Sequence, residues 1–232
     1  GEKWQKLQAE FENRLESMRK AALKEEWLHP QGVYGYWPAQ SDGEDLILYE
    51  PDSLTAGNSR ELIRFTNPRQ VRGEFICLSD YFASVDSGIM DIVALQIVTV
   101  GHEATERFDN LQESGEFSEA YFTHGFAVQI AEATAEYLHR HVRRELGIKT
   151  DQGKRYSWGF PAIPNIEDHT KIFRLLHPEV ELGMELTSAF QLVPEQSTAA
   201  IIVHHPKAKY YAIGEGRISQ LMKNQEKSRT AS

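Results

Sequence analysis

The run Asp91-Ile92-Val93-Ala94-Leu95-Gln96-Ile97-Val98-Thr99-Val100 most restricts what this chain can fold into. It is nearly continuous in apolar and β-branched residues, and it falls short of the roughly 18 apolar residues of a membrane span. Such a run reads as a central strand buried on both faces. Upstream, Val33-Tyr34-Gly35-Tyr36-Trp37-Pro38 and Asp45-Leu46-Ile47-Leu48-Tyr49 flank Ser41-Asp42-Gly43, which is a hairpin signal. Leu62-Ile63-Arg64-Phe65 reads as a third strand, closed by Pro68. Near the other end, Ala199-Ala200-Ile201-Ile202-Val203 and Tyr210-Tyr211-Ala212-Ile213 flank His205-Pro206-Lys207, which predicts a second hairpin. Two hairpins without repeated βαβ spacing predict an α+β fold, with a curved antiparallel sheet and long helices packed against it.

The helices follow from periodicity. Trp4, Leu7, Phe11, Leu15, Met18 and Ala22 recur at steps of three and four, predicting an amphipathic helix over residues 3–26 that His29-Pro30 ends. Gly101 leads into another helix. The longest is expected over residues 117–145, across one face of the sheet. Its seam runs through Tyr121, His124, Val128, Ala131, Ala135, Leu138 and Val142, and the alanines let another element approach its backbone closely. Its end carries His139, Arg140, His141, Arg143 and Arg144, which suit the negative pole of the helix dipole. Asn165 caps a further helix with Glu167 and Asp168 in its first turn, Ile172, Phe173, Leu175 and Leu176 on its core face, and Pro178 as its stop. Ile218, Leu221 and Met222 mark a short last helix before a polar tail.

At 232 residues and 41% hydrophobic content the chain can bury a real core. With no repeat and no linker, the expected organisation is a single domain over 1–223 and a polar tail over 224–232. Cys77 is the one cysteine, which excludes a disulfide framework or a multi-cysteine zinc site and fits a reducing cytoplasm. A net charge of −9 argues against nonspecific nucleic-acid binding and against an anionic membrane surface. His102-Glu103-Ala104-Thr105-Glu106 begins like a zincin motif but has Glu106 where the second histidine is required, so no metal site is expected. No nucleophile–base set and no phosphate-cradling glycine loop is present, so no catalytic residue is assigned. The chain reads as a binding platform.

What it binds is suggested by Arg155-Tyr156-Ser157-Trp158-Gly159-Phe160-Pro161-Ala162-Ile163-Pro164. Two prolines three apart withhold two backbone donors, so an irregular, rigid loop is expected there. Gly159 permits a close backbone approach or a positive φ. Arg155 supplies a planar cation for a carboxylate or phosphate, beside aromatic walls from Tyr156, Trp158 and Phe160. A small zwitterion or anion with a flat ring suits that combination.

This pattern, with the Glu167-Asp168-His169-Thr170-Lys171 run, resembles the C-terminal activation domain of cobalamin-dependent methionine synthase. The helix Ala131-Glu132-Ala133-Thr134-Ala135-Glu136-Tyr137-Leu138-His139 also matches. So do Pro194-Glu195-Gln196-Ser197 and His205-Pro206 leading to Lys209-Tyr210-Tyr211-Ala212, all in the family's order. The resemblance implies a module that binds S-adenosylmethionine and supports reductive methylation of inactive cob(II)alamin to methylcobalamin during methionine biosynthesis. It is then part of a methyltransferase without being a complete catalyst. Cobalamin would be held by a neighbouring domain of the same enzyme, and flavodoxin or an equivalent would deliver the electron. Carried over by position, Arg155 would grip the methionyl carboxylate, the backbone of Gly159, Phe160, Pro161 and Ala162 would line the ligand, Tyr210 and Tyr211 would hold it, and Glu132 would border the groove. Phe160 stands where the family often has Tyr. The family also carries an Asp, upstream of the first helix, for the ligand's amino group. The chain begins after that point, so it is expected to lack that N-terminal segment. The alternative class is a noncatalytic S-adenosylmethionine-sensing or interaction domain, which would bind the same ligand without docking on a cobalamin domain. The basic end of the long helix is the candidate docking patch for an acidic electron donor.

Overall fold

A computed structural model describes residues 2–55, 57 and 59–214. The first half of the chain forms α1 (Glu2–Glu25), β1 (Gln31–Asp42), β2 (Asp45–Tyr49), α2 (Pro51–Thr55), β3 (Glu61–Thr66) and β4 (Asp91–Thr99). It continues through α3 (Glu103–Glu113), α4 (Phe117–Glu145), β5 (Lys154–Ser157), α5 (His169–Leu176), α6 (Pro178–Glu181), the short pair β6 (Glu185–Leu186) and β7 (Leu192–Val193), and β8 (Ser197–Val203). The main sheet has six strands in the order β3-β2-β1-β4-β8-β5, and β1–β2, β2–β3 and β5–β8 pair antiparallel. This is the expected α+β fold with an antiparallel sheet.

The first hairpin forms as read. Asp42 pairs with Asp45, so its turn is two residues, and Gly43 takes the first place with φ +62°. Glycine fits there because that position of a type II′ turn needs positive φ. β4 lies inside the sheet, and Val93 through Thr99 are all buried, as a run without polar alternation requires.

Chain contacts divide the protein into two compact units: Gly1–Val33, Ile97–Leu138 and His177–Thr198 in the first, and Tyr34–Gln96, His139–Leu176 and Ala199–Ser232 in the second. In the first unit, Trp27, Val100, Ala104, Ala127 and Ala131 form a core against Phe126 and Ile130. The buried stripe of α4 there runs through Ala120, Thr123, Ala127, Ala131 and Ala135, one residue off the expected seam at its start and on it at Ala131 and Ala135. Tyr121 is accordingly 74% exposed, because the small alanines rather than the large residues make the close contact. The apolar positions of α1 form a helix face as expected, but Trp4, Leu7, Phe11 and Leu15 stay well exposed along a groove of about 810 Å³ shared with Phe122 and Ile130. Arg14 pairs with Glu119 and places its guanidinium 3.8 Å from the Phe122 ring centre.

In the second unit, Ala94, Val142 and Ile202 pack with Tyr34, Tyr36 and Leu146, so the last turns of α4 cover the sheet there. Helical phase carries the buried stripe on to His139 and Arg143, only 2% and 7% exposed. The Arg143 Nε donates to the Gln152 carbonyl at 2.8 Å. The expected basic patch therefore shrinks to Arg140, His141 and Arg144, with Glu145 exposed beside them, holding Tyr34 and Tyr36 by their hydroxyls.

Two further expectations change. Tyr210 to Ile213 form no strand, so the expected hairpin around His205-Pro206-Lys207 does not form. Both edges of β8 are already taken, by β4 and β5, so a returning strand has no ladder to join. Arg155, Tyr156 and Ser157 belong to the edge strand β5, and the irregular loop begins only at Trp158. The expected helix at Ile218, Leu221 and Met222 and the polar tail lie outside the described residues. Among the described residues no helix is long and apolar enough to cross a membrane.

Candidate functional site

The loop after β5 is built from its ends inward. Trp158 is buried against Phe65 and His169, with ring centres 5.5 and 6.3 Å apart. Gly159 has φ +87°, a region that would strain any other residue, and its N–H donates to the Ile163 carbonyl at 3.0 Å. The Ile163 N–H returns to the Phe160 carbonyl at 3.0 Å, closing residues 159–163 into a tight turn with Pro161 exposed at its tip and Ala162 buried beneath. Asn165 then caps as expected, its side chain accepting from the Glu167 amide at 3.1 Å. Asp168 behind it is buried. Burial pushes its carboxyl above the ordinary value despite the Lys171 ammonium 2.7 Å away.

The segment 204–214 lies against this turn. The Ile213 N–H donates to the Pro161 carbonyl at 3.0 Å, and the Ile213 carbonyl accepts from Val71 at 3.3 Å. Gln70 donates to the Ala212 carbonyl at 3.1 Å. Tyr210 is 68% exposed, while Tyr211 is half-buried. The adjacent tyrosines thus differ in exposure. The Tyr211 hydroxyl is buried and, among the described residues, has no hydrogen-bond partner of ordinary geometry. Burial pushes its ionisation well up, and the Leu78 amide opposes only part of that. A buried hydroxyl in this state is an incomplete site, because leaving it unmade carries a desolvation penalty.

Seven of the eight expected site residues, Arg155, Gly159, Phe160, Pro161, Ala162, Tyr210 and Tyr211, lie in the second unit. Glu132 is exposed on the part of α4 that belongs to the first. The structure joins the 159–162 turn to the 210–213 segment directly. Arg155 pairs with Ile202 and so shares its sheet face, whereas Tyr156 points to the opposite face, with its ring 5.6 and 6.2 Å from those of Tyr210 and Tyr211. Chain reach keeps the Cα atoms of Arg155 and Gly159 within roughly 13 Å, comparable to an extended amino acid joined to a nucleoside. Tyr81, Gln70 and Val71 also support this region. Sequence alone carries no signal for them, since they reach it from more than seventy residues away.

The chain matches the family described as vitamin B12 dependent methionine synthase, activation domain, over residues 2–229. It belongs to that family. Methionine synthase of Mycobacterium tuberculosis is 36% identical over 211 residues, covering 80% of this chain and 17% of that protein. The Mycobacterium leprae enzyme is 35% identical over 205 residues, covering 78% of this chain and again 17% of the relative. The chain therefore spans about a sixth of the length of these relatives. A solved structure of the MetH reactivation domain bound to AdoHcy superimposes with a TM-score of 0.79 at 29% identity, covering 90% of this chain and 68% of that one. Among the described residues no group of three or more His, Cys, Asp or Glu side chains is placed to hold a metal ion.

Proposed function

We propose that this activation domain binds S-adenosylmethionine and supports the reductive methylation that returns inactive cob(II)alamin to methylcobalamin in methionine synthesis. The observation that carries the reading is the likeness to a reactivation domain bound to AdoHcy, the demethylated form of that donor. The residues present suit the ligand. Arg155 offers a fork-shaped cation for the carboxylate on one side of β5's exit. The 159–162 turn offers backbone to the nucleoside, and the buried Tyr211 hydroxyl is available as a hydrogen-bonding group. Phe160, 61% exposed, and Tyr210 supply aromatic surface for a flat ring. Glu132 remains a candidate border residue.

Cobalamin, held by a neighbouring domain of the same enzyme, supplies the methyl-accepting cobalt, and flavodoxin or an equivalent donates the electron. The chemistry belongs to those groups, and this chain positions the methyl donor. A cytoplasmic setting fits a chain whose single cysteine, Cys77, is buried. Isothermal titration of AdoHcy into the 232-residue chain tests the reading. Saturable one-to-one binding that Arg155→Ala weakens supports it. Absence of saturable binding at any soluble ligand concentration overturns it.

A further inference from the structure

Residues 204–214 carry both proposed ligand tyrosines yet belong to no helix or strand. With both edges of β8 occupied, they join no ladder beside it. Side-chain bonds, with a few backbone bonds, hold them instead. At the entry, His204 Nε2 meets Asp91 at 2.7 Å, and the Gln152 amide donates to the His204 carbonyl at 2.9 Å. At the exit are the bonds from Gln70 and to Pro161 already described. Between them, two phenols meet at Lys209, the residue just before Tyr210. The Tyr156 hydroxyl donates to the Lys209 carbonyl at 2.7 Å, and the Lys209 N–H reaches the Tyr81 hydroxyl at 3.4 Å.

Both phenols come from rigid places. Tyr156 is 3% exposed on β5, one residue beyond Arg155. Tyr81 closes a 3₁₀ turn, Leu78–Tyr81, whose Asp80 takes two bonds from Arg69 at 2.5 and 2.7 Å and one from the Cys77 amide at 3.0 Å. The Tyr81 ring also lies 5.6 Å from that of His205. A tyrosine has only two side-chain torsions, so a phenol held at its ring transmits little slack to what its hydroxyl holds. The Lys209 N–H belongs to the 208–209 peptide and its carbonyl to the 209–210 peptide, so the two hydroxyls hold the peptides on either side of the Lys209 Cα, where rotation would swing Tyr210 and Tyr211 together.

We infer that Tyr81 and Tyr156 are positioning residues, a pair of phenols that clamp the two peptides flanking Lys209 and thereby orient Tyr210 and Tyr211 toward the ligand. The inference rests on the S-adenosylmethionine reading above. It extends the site to two residues that would not touch the ligand, and one of them lies far away in sequence.

The test uses Tyr81→Phe, Tyr156→Phe and the double variant in the full 232-residue chain, with Arg155→Ala as the reference for ligand binding. Phenylalanine keeps each ring and removes only the hydroxyl. AdoHcy affinity is measured by titration, and amide hydrogen exchange is followed over 205–214 without ligand. Loss of one neutral hydrogen bond predicts a fall in affinity of about three- to tenfold, larger for Tyr156→Phe because its bond is the shorter. Exchange should quicken over 208–213, while the rest of the chain keeps wild-type protection and bound AdoHcy partly restores it. A merely structural role would instead change protection throughout the unit. If both phenylalanine variants bind like wild type while Arg155→Ala loses affinity, the clamp is refuted and the ligand reading stands. Weakened binding without local change in exchange refutes the clamp as well. If no variant, Arg155→Ala included, alters binding, the ligand reading fails and the inference falls with it.

Discussion

Gly153 precedes Arg155 by two residues, and replacing it with alanine should damage both the fold and the proposed site. Its φ is +77°, and an added Cβ would stand 2.3 Å from the Val203 carbonyl oxygen and 3.0 Å from the His204 Cα. Both are backbone atoms, and Val203 is paired with Lys154 in the β5–β8 ladder, so neither can turn aside as a side chain would. The left-handed conformation alone costs a non-glycine residue about 1–2 kcal/mol. Overpacking that moves the backbone adds roughly 1–3 kcal/mol. Gly147→Ala separates the two effects, because Gly147 also has positive φ, +64°, but nothing within 4 Å of the built Cβ. For a chain of this size 1 kcal/mol shifts the melting temperature by about 2–4 °C. Gly153→Ala should thus melt roughly 2–12 °C below Gly147→Ala. The clash also pushes on the strand that aims Arg155, so AdoHcy affinity should fall for Gly153→Ala and hold for Gly147→Ala. Scanning calorimetry with titration on both proteins decides it. Equal melting temperatures would show that β8 yields freely at Val203, and the account of a rigid β5–β8 frame under the site would be wrong.

Three other outcomes are expected. Arg155→Lys keeps the charge but loses the fork, and should weaken AdoHcy by about ten- to a hundredfold, the worth of a charge-assisted bond of roughly 1.5–3 kcal/mol; unchanged affinity by titration would make Arg155 a diffuse charge. The hydrogen bond to Asp91 raises the His204 pKa above its ordinary 6.5, with burial opposing. Its stabilisation is therefore full below about pH 6.5 and is lost as pH rises through the higher folded value. Burial pushes the Asp91 carboxyl up, but the bonds it accepts win and hold it low, so its own contribution fails only in acid. Melting temperature against pH should fall above neutrality in the wild type and flatten in His204→Gln, and parallel curves would refute the linkage. Arg143→Ala should cost about 1–3 kcal/mol by removing a buried guanidinium and its bond to the half-buried Gln152 carbonyl, whereas exposed Arg144→Ala should stay within about 0.5 kcal/mol. Equal denaturant midpoints would return Arg143 to the surface.

Several features were legible because they depend on neighbours in sequence. The Asp-Gly hairpin, the unbroken apolar run of β4, the Asn165 cap and the 29-residue helix α4 are each set by residues within a turn or two of one another. The rigid turn at 159–163 belongs with them, since Gly159 and Pro161 impose it locally. The ordered motifs also identified the family. What failed depended on partners far along the chain. Residues 210–213 have strand-forming composition, yet a strand needs an open edge, and only the sheet order reveals that β4 and β5 occupy both sides of β8. His139 and Arg143 read as a surface patch because their types are polar. Their burial follows from where α4 meets the sheet, a matter of helical phase fixed by packing. The same holds for Tyr81 and Gln70, which reach the 204–214 segment across more than a hundred residues. Local propensity acts through torsions and nearest neighbours, whereas competition for a strand edge or a buried face is decided only when distant segments meet.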